Sequence, residues 1–101
     1  MMFVYILECA DKSYYVGVTN DLSRRIAEHM NGQDTKSYTN SRRPVRLVFS
    51  QDFPDPHQAI AFEKQIKGWT RHKKEALICG DFNSLKIAAK KRFNKVKQTK
   101  P

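Results

Sequence analysis

The feature that most constrains the fold is a pair of β-forming segments that lie only four residues apart. Residues 2–9, MFVYILEC, are apolar and rich in strand-forming side chains, and residues 14–19, YYVGVT, have the same character. The four residues between them, ADKS, are turn formers and suit a hairpin connection. The sequence therefore predicts an N-terminal β-hairpin that carries Tyr5 on one strand and Tyr15 on the other.

A helix is predicted directly after the hairpin, over residues 22–31. Asp21 is placed to cap its first turn, with Asn20 as the competing cap, and Gly32 is placed to end it. Its apolar side chains recur every four residues and predict the buried face: Leu22, Ile26 and Met30.

The second half of the chain predicts one more strand and three more helices. The polar, basic residues 33–44 are typical of a surface loop, and residues 45–53, VRLVFSQDF, predict the strand. The helices are predicted from about residue 55 or 56 to about residue 69, over residues 71–78 and over residues 84–93. The first of these carries an apolar stripe at 3, 4, 3 spacing: Ala59, Phe62, Ile66 and Trp69. This order predicts an α+β fold, a small three-stranded antiparallel sheet flanked by helices.

Length and composition indicate one domain, which we place at residues 1–89, followed by a basic tail at residues 90–101. No apolar run approaches the roughly 20 residues that a membrane-spanning helix needs, and no signal peptide is evident. Cys9 and Cys79 are the only cysteines, and without a secretion signal we interpret them as buried free thiols. The expected location is the cytoplasm.

The net charge indicates the class of partner. Nineteen Lys and Arg residues oppose ten Asp and Glu, giving a net charge of +9, which favours binding to polyanions through counterion release. The alternative is a generally basic, solvated surface. The tail KKRFNKVKQTKP is a frayed helix end or a phosphate-binding arm. The candidate nucleic-acid-binding residues are Arg42, Arg43, Lys67, Arg71, Lys90, Lys91 and Arg92.

Five separated residues form the candidate catalytic group: Tyr5, Tyr15, Arg25, His29 and Glu63. If the hairpin register places the two tyrosines on one face, their hydroxyls converge, and Gly17 lets backbone or ligand approach closely. Arg25 and His29 are four residues apart and share a helix face. Each residue also has a structural interpretation. The tyrosines can be packing, Arg25 and His29 can be solvated, and Glu63 can form a helical ion pair with Lys67.

The same residues resemble the GIY-YIG nuclease motif. FVY at 3–5 and YVG at 15–17 are similar to its two halves, although the first begins with Phe3-Val4 in place of Gly-Ile. Arg25, eight residues after Gly17, matches the family's catalytic arginine, and His29 matches a histidine found in many members. Glu63 matches the metal-binding glutamate. The resemblance covers about residues 2–80 and is closest to small single-domain bacterial members.

The resemblance implies a role for each matched residue. Tyr5 would be the general base or would position the attacking water, and Tyr15 and His29 would orient it or relay its proton. Arg25 would clamp phosphate oxygens and, with a metal ion, would lower the pKa of Tyr5. Glu63 would hold one Mg²⁺, or another divalent cation such as Mn²⁺. The family's asparagine has one candidate here, Asn83.

Two functions of different classes follow. The first is a metal-dependent endonuclease that hydrolyses DNA, including structured or damaged DNA, without a small-molecule cofactor or a membrane partner. The second is a non-catalytic nucleic-acid-binding module that keeps the scaffold and the charge. The intact candidate group favours the first, whereas the absence of a separate DNA-targeting domain and the basic tail fit the second.

Overall fold

The structure is a computed structural model, and it describes residues 1–33 and 36–80 of the 101-residue chain. The chain divides into two compact units, Met1–Lys67 and Gly68–Pro101. The predicted helix over residues 84–93, the basic tail and the predicted boundary after residue 89 lie outside the described residues. Among the described helices, none has the length and apolar character needed to cross a membrane.

The first unit is built on a three-stranded antiparallel sheet, as predicted. Its strands are β1 (Met2–Glu8), β2 (Tyr14–Thr19) and β3 (Arg46–Phe53), in the order β2-β1-β3. The central strand β1 carries four consecutive side chains that are at most 1 % exposed: Val4, Tyr5, Ile6 and Leu7. Since successive side chains of a strand point to opposite faces, both faces of the sheet are covered.

The register of the β1–β2 hairpin decides where the two tyrosines point. Tyr5 lies opposite Gly17, and Leu7 lies opposite Tyr15. Residues paired across a ladder share a face, and so do residues two apart on one strand. Tyr5 and Tyr15 therefore lie on the same face of the sheet, diagonally across the hairpin.

Helix α1 (Leu22–Asn31) follows β2 and packs on that face. The Asp21 carboxylate accepts a hydrogen bond from the backbone N–H of Arg24, which confirms Asp21 as the N-cap. The helix ends at Gly32, which has the left-handed conformation (φ 67°, ψ 28°) typical of a C-terminal glycine.

The predicted buried stripe of α1 is wrong at its last member. Leu22 and Ile26 pack against the core, but Met30 is 46 % exposed and His29 is buried in its place. At 3.6 residues per turn, seven residues fall about 20° short of two turns, whereas eight residues overshoot by about 80°. The buried face of the helix therefore continues from Leu22 and Ile26 to His29. This geometry also excludes the solvated alternative for His29.

Helix α2 (Pro56–Lys67) covers the other face of the sheet. The ring of Phe62 lies 6.4 Å from that of Phe49 and 5.4 Å from that of Phe53, centroid to centroid. Phe49 and Phe53 pair with Ile6 and Met2, on the face opposite to Tyr5. The residues of α2 that are buried are Ala59, Glu63 and Ile66.

The second unit contains helix α3 (Arg71–Cys79), which begins at the N-cap Thr70 and ends at Gly80 in the left-handed conformation. The prediction that Trp69 continues the stripe of α2 is wrong, because α2 ends at Lys67 and Trp69 is only half-buried in the connection. Both cysteines are free thiols, as predicted, but only Cys9 is buried and Cys79 is exposed.

Candidate active site

The centre of the site is a buried hydrogen bond between a strand and a helix. The Tyr5 hydroxyl, on the central strand, lies 3.0 Å from Nε2 of His29, in the last turn of α1. Both residues are 1 % exposed. A buried hydroxyl usually finds a hydrogen-bond partner, so the contact fits a packing role as well as a catalytic one. The contact joins two of the predicted residues through the atoms that acid–base chemistry requires.

The second nitrogen of His29 is held by residues that sequence reasoning missed. Nδ1 lies 2.7 Å from Oγ1 of Thr39, and Oγ of Ser37 lies 3.1 Å from the same Thr39 oxygen. Both residues belong to the segment predicted only as a polar surface loop, yet Thr39 is 1 % exposed. The loop's sequence carries many hydroxyl and amide residues, so composition alone did not distinguish these two.

Tyr15 completes an aromatic cluster around this hydrogen bond. Its ring centroid lies 6.2 Å from that of Tyr5 and 5.1 Å from that of His29, with the planes tilted in both cases. The ring of Tyr38 stacks on it at 6.1 Å with an interplanar angle of 21°. The structure thus brings Tyr5, Tyr15 and His29 together.

Burial keeps the Tyr5 hydroxyl protonated. Desolvation by burial, together with the neighbouring Tyr15, raises the pKa of Tyr5 to about 12. The Arg25 guanidinium acts in the expected direction and lowers the pKa of Tyr5 by hydrogen bonding and by its charge, but burial outweighs it. The expectation of a lowered pKa is therefore wrong for the free protein. At neutral pH Tyr5 is therefore a phenol, and its hydroxyl is hydrogen-bonded to Nε2 of His29.

Arg25 belongs to the same site and already has an anionic partner. Its Nη1 lies 2.9 Å from Oε1 of Glu28, and Nε of Arg24 lies 3.2 Å from Oε2 of the same carboxylate. The two guanidinium groups, Arg25 first, hold the pKa of Glu28 below its usual value. This arrangement lies at a polar cleft of about 120 Å³, which is lined by Thr19, Asn20, Asp21, Arg24, Arg25 and Glu28.

Gly17 is required by the close approach of Tyr5. A Cβ at residue 17 would overlap the hydroxyl and the attached ring carbon of Tyr5, and it would lie 3.0 Å from a ring carbon of Tyr15. The glycine of the hairpin therefore makes room for the phenol opposite it.

We expect Gly17→Ala to displace the Tyr5 ring and to break its hydrogen bond to His29. Overpacking of this kind costs about 1–3 kcal/mol, so the free energy of unfolding should fall by that amount in chemical denaturation. In a Tyr5→Leu background, which removes the overlapping atoms, the same substitution should cost much less. An equal cost in both backgrounds would show that Tyr5 is not the group that requires glycine.

Glu63 lies on helix α2. It is 8 % exposed and lies on the buried side of α2, and its carboxylate Oε2 lies 2.5 Å from Nζ of Lys67. That contact is the helical ion pair foreseen as the structural alternative. Within residues 1–33 and 36–80, no three His, Cys, Asp or Glu side chains group closely enough to hold a metal ion.

The predicted nucleic-acid-binding residues are engaged in local contacts where the structure describes them. Arg42 lies 3.9 Å from the ring centroid of Tyr38 and pairs with Asp11, and the Arg43 guanidinium covers Gly32. Lys67 pairs with Glu63, and Arg71 pairs with Glu75. The remaining candidates, and Asn83, lie outside the described residues: Lys90, Lys91 and Arg92.

Comparison with known proteins identifies the family of the chain. Residues 1–76 match the GIY-YIG catalytic domain. The UPF0213 protein BH0048 of Halalkalibacterium halodurans is 46 % identical over 76 residues, which cover 75 % of this chain and 80 % of the relative. The UPF0213 protein YazA of Bacillus subtilis is 43 % identical over 76 residues, with coverages of 75 % and 76 %. These names state no activity.

A solved structure supports the same assignment. The solution NMR structure of the UPF0213 protein BH0048 from Bacillus halodurans is 44 % identical in sequence and superposes with a TM-score of 0.52. The match covers 78 % of this chain and 84 % of that one. Its fold is that of the three-stranded sheet and helices described above. With the matched domain spanning residues 1–76, the protein belongs to the GIY-YIG catalytic domain family and has a nuclease fold.

Proposed function

We propose that this protein is a metal-dependent endonuclease that hydrolyses DNA phosphodiester bonds. The observation that supports it most is the buried hydrogen bond between the Tyr5 hydroxyl and Nε2 of His29, beside Arg25. Hydrolysis of a phosphodiester requires a base for the attacking water and positive charge for the developing oxyanion. The phenol–imidazole pair supplies the first, and the guanidinium supplies the second.

The proton path runs from water through Tyr5 to His29. A phenol with a pKa of about 12 is a poor base by itself, because it already holds its proton at neutral pH. His29 removes this difficulty, since Nε2 takes the phenol proton as the hydroxyl oxygen of Tyr5 takes one from water. Tyr15, whose ring packs against both residues, orients the pair.

Arg25 is the phosphate clamp in this proposal. Its planar guanidinium makes paired hydrogen bonds to oxyanions, which an ammonium does not reproduce. In the free protein Glu28 holds that group at 2.9 Å. The scissile phosphate would replace the Glu28 carboxylate as the partner of Arg25, while Arg24 keeps its own contact to Glu28.

Glu63 is the proposed ligand for a divalent cation. A single carboxylate with low exposure fits Mg²⁺, which keeps several waters and takes the rest of its ligands from substrate phosphate oxygens. When bound, such an ion would neutralise phosphate charge and acidify a coordinated water. Lys67 holds the carboxylate in the free protein, so metal affinity without DNA should be weak.

The charge distribution suggests which part of the chain contributes most to DNA affinity. Residues 1–67 contain nine basic residues (Lys and Arg) and eight acidic residues (Asp and Glu). Residues 68–101 contain ten basic residues and two acidic residues. The unit with the candidate site is thus almost neutral, and nearly all the excess charge follows it. Counterion release by this second part would provide affinity that does not depend on sequence.

The direct test is cleavage of labelled single-stranded, duplex and branched DNA with Mg²⁺, with Mn²⁺ and with EDTA. We expect metal-dependent cleavage of at least one form. Arg25→Lys should lower the single-turnover cleavage rate by about 10²-fold or more, as does the loss of a hydrogen-bond donor to the transition state. Arg24→Lys is the matched control, because it contacts the same Glu28 carboxylate but is 75 % exposed.

Two results would oppose the proposal. Binding of every DNA form without cleavage of any would favour the non-catalytic nucleic-acid-binding module. Equal rate losses in Arg25→Lys and Arg24→Lys would show that the two arginines act through general charge and not through a specific phosphate contact.

A further inference from the structure

Thr39 has an environment that a loop hydroxyl does not ordinarily have. It is 1 % exposed, and the described buried polar or charged side chains are only His29, Thr39 and Glu63. Its Oγ1 lies 2.7 Å from Nδ1 of His29, shorter than the 3.0 Å contact on the other side of the ring. The hydroxyl is therefore directed at the imidazole that the proposed mechanism uses.

A neutral imidazole has one nitrogen that donates and one that accepts, and the partner of one nitrogen decides the role of the other. A threonine hydroxyl can satisfy either role, so its own hydrogen must be located. Oγ of Ser37 lies 3.1 Å from Oγ1 of Thr39 and accepts a hydrogen bond from the backbone N–H of Thr39 at 3.3 Å. Either hydroxyl can donate in this contact, and an arrangement in which Thr39 donates to Ser37 satisfies its geometry. A lone pair of Thr39 then accepts from Nδ1–H.

We infer that Thr39 is a positioning residue that holds His29 in the Nδ1–H tautomer, so that Nε2 faces Tyr5 as a proton acceptor. The inference rests on the proposed function for its catalytic consequence, but the tautomer itself is a property of the free protein. When Nε2 takes the Tyr5 proton, the resulting imidazolium still donates from Nδ1 to Thr39. No hydrogen bond on that side of the ring has to change during the step.

The first experiment measures the tautomer without any substrate. Long-range ¹H–¹⁵N correlation spectra of ¹⁵N-histidine-labelled protein separate the two neutral tautomers, and His57 and His72, which are exposed, serve as internal references. We expect His29 to be the Nδ1–H form in the wild type and in Thr39→Ser. In Thr39→Val, which keeps the shape and removes the hydroxyl, the Nε2–H form should become populated.

The second experiment measures catalysis by the same variants. Thr39→Val should lower the single-turnover cleavage rate by about 10- to 100-fold, the size of effect seen when metal-ligating histidines lose their outer hydrogen-bond partner. DNA affinity should not change, and Thr39→Ser should restore most of the rate. Ser37→Ala, which removes the acceptor for the Thr39 hydrogen, should produce a smaller loss and serves if Thr39→Val does not fold.

The outcomes separate this inference from the proposed function. An Nε2–H tautomer in the wild type, or an unchanged tautomer in a folded Thr39→Val protein, would overturn the role of Thr39 whether or not the protein cuts DNA. The expected tautomers in a protein that cuts no DNA would support the positioning and refute the nuclease. A full rate in Thr39→Val would show that the tautomer does not limit cleavage and would overturn the catalytic consequence.

Discussion

Tyr5→Phe is expected to lower the single-turnover rate of DNA cleavage by about 10²–10⁴-fold at saturating Mg²⁺, the range that general-base groups contribute. The substitution keeps the ring and removes only the hydroxyl that bonds to Nε2 of His29. Because that hydrogen bond is buried, the free energy of unfolding should also fall, by about 0.5–1.5 kcal/mol. A rapid-quench cleavage assay and a denaturant titration measure the two effects separately.

Two other tyrosines are suitable comparisons. If Tyr15 only orients the pair, Tyr15→Phe should lower the cleavage rate by a smaller factor than Tyr5→Phe. The double variant should lower the rate by less than the product of the two single factors, because residues that act as one unit do not contribute independently. Tyr14→Phe is the matched control, because Tyr14 precedes Tyr15 on β2 and so points to the other face of the sheet. Wild-type rates in both Tyr5→Phe and Tyr15→Phe would return the pair to a packing role.

Glu63→Gln is expected to abolish metal-dependent cleavage while leaving the fold and the DNA affinity nearly intact. The amide has the shape of the carboxylate but lacks the charge that a hard divalent cation requires. Activity titrated against Mg²⁺ and Mn²⁺, with circular dichroism and a DNA-binding isotherm on the same protein, provides the measurement.

The matched control for this prediction is Glu75→Gln. Glu75 forms the same kind of helical ion pair, with Arg71 at 3.0 Å, but its side chain is 45 % exposed. If Glu63 is only the partner of Lys67, the two variants should both cut DNA like the wild type and lose only the few tenths of a kcal/mol that such pairs contribute. That result would remove Glu63 from the site.

Local sequence information was sufficient for the three strands, for helices α1 to α3 and for most of their ends, but not for the short 3-10 helix Asn40–Arg42. The hairpin follows from two strand-forming segments and a four-residue turn, and α1 follows from the Asp21 cap and the Gly32 terminus. These predictions hold because each depends on backbone groups within a few residues of one another. The order and type of the motif residues also indicated the family from the sequence alone, which the match over residues 1–76 confirms.

Contacts between distant segments decided the chemistry of the site. The four-residue repeat suggested that Met30 is buried, whereas 3.6 residues per turn make His29 the inward residue, and only packing on the sheet places its ring beside Tyr5. The pKa of Tyr5 is raised and not lowered, because desolvation by the surrounding core exceeds the effect of Arg25. The Tyr5–His29 contact and the raised pKa both depend on segments that are distant in the chain.

The sequence by itself determined which residue types are available and which elements carry them, because periodicity, capping and turn chemistry act over a few residues. The tertiary structure alone decided the partners of His29, which are Tyr5 on the central strand and Thr39 in the loop. The Lys67 partner of Glu63, by contrast, already followed from their spacing on one helix. Hydrogen-bond direction, burial and charge pairing depend on positions in space to within about 0.5 Å, and those positions are set by the whole fold.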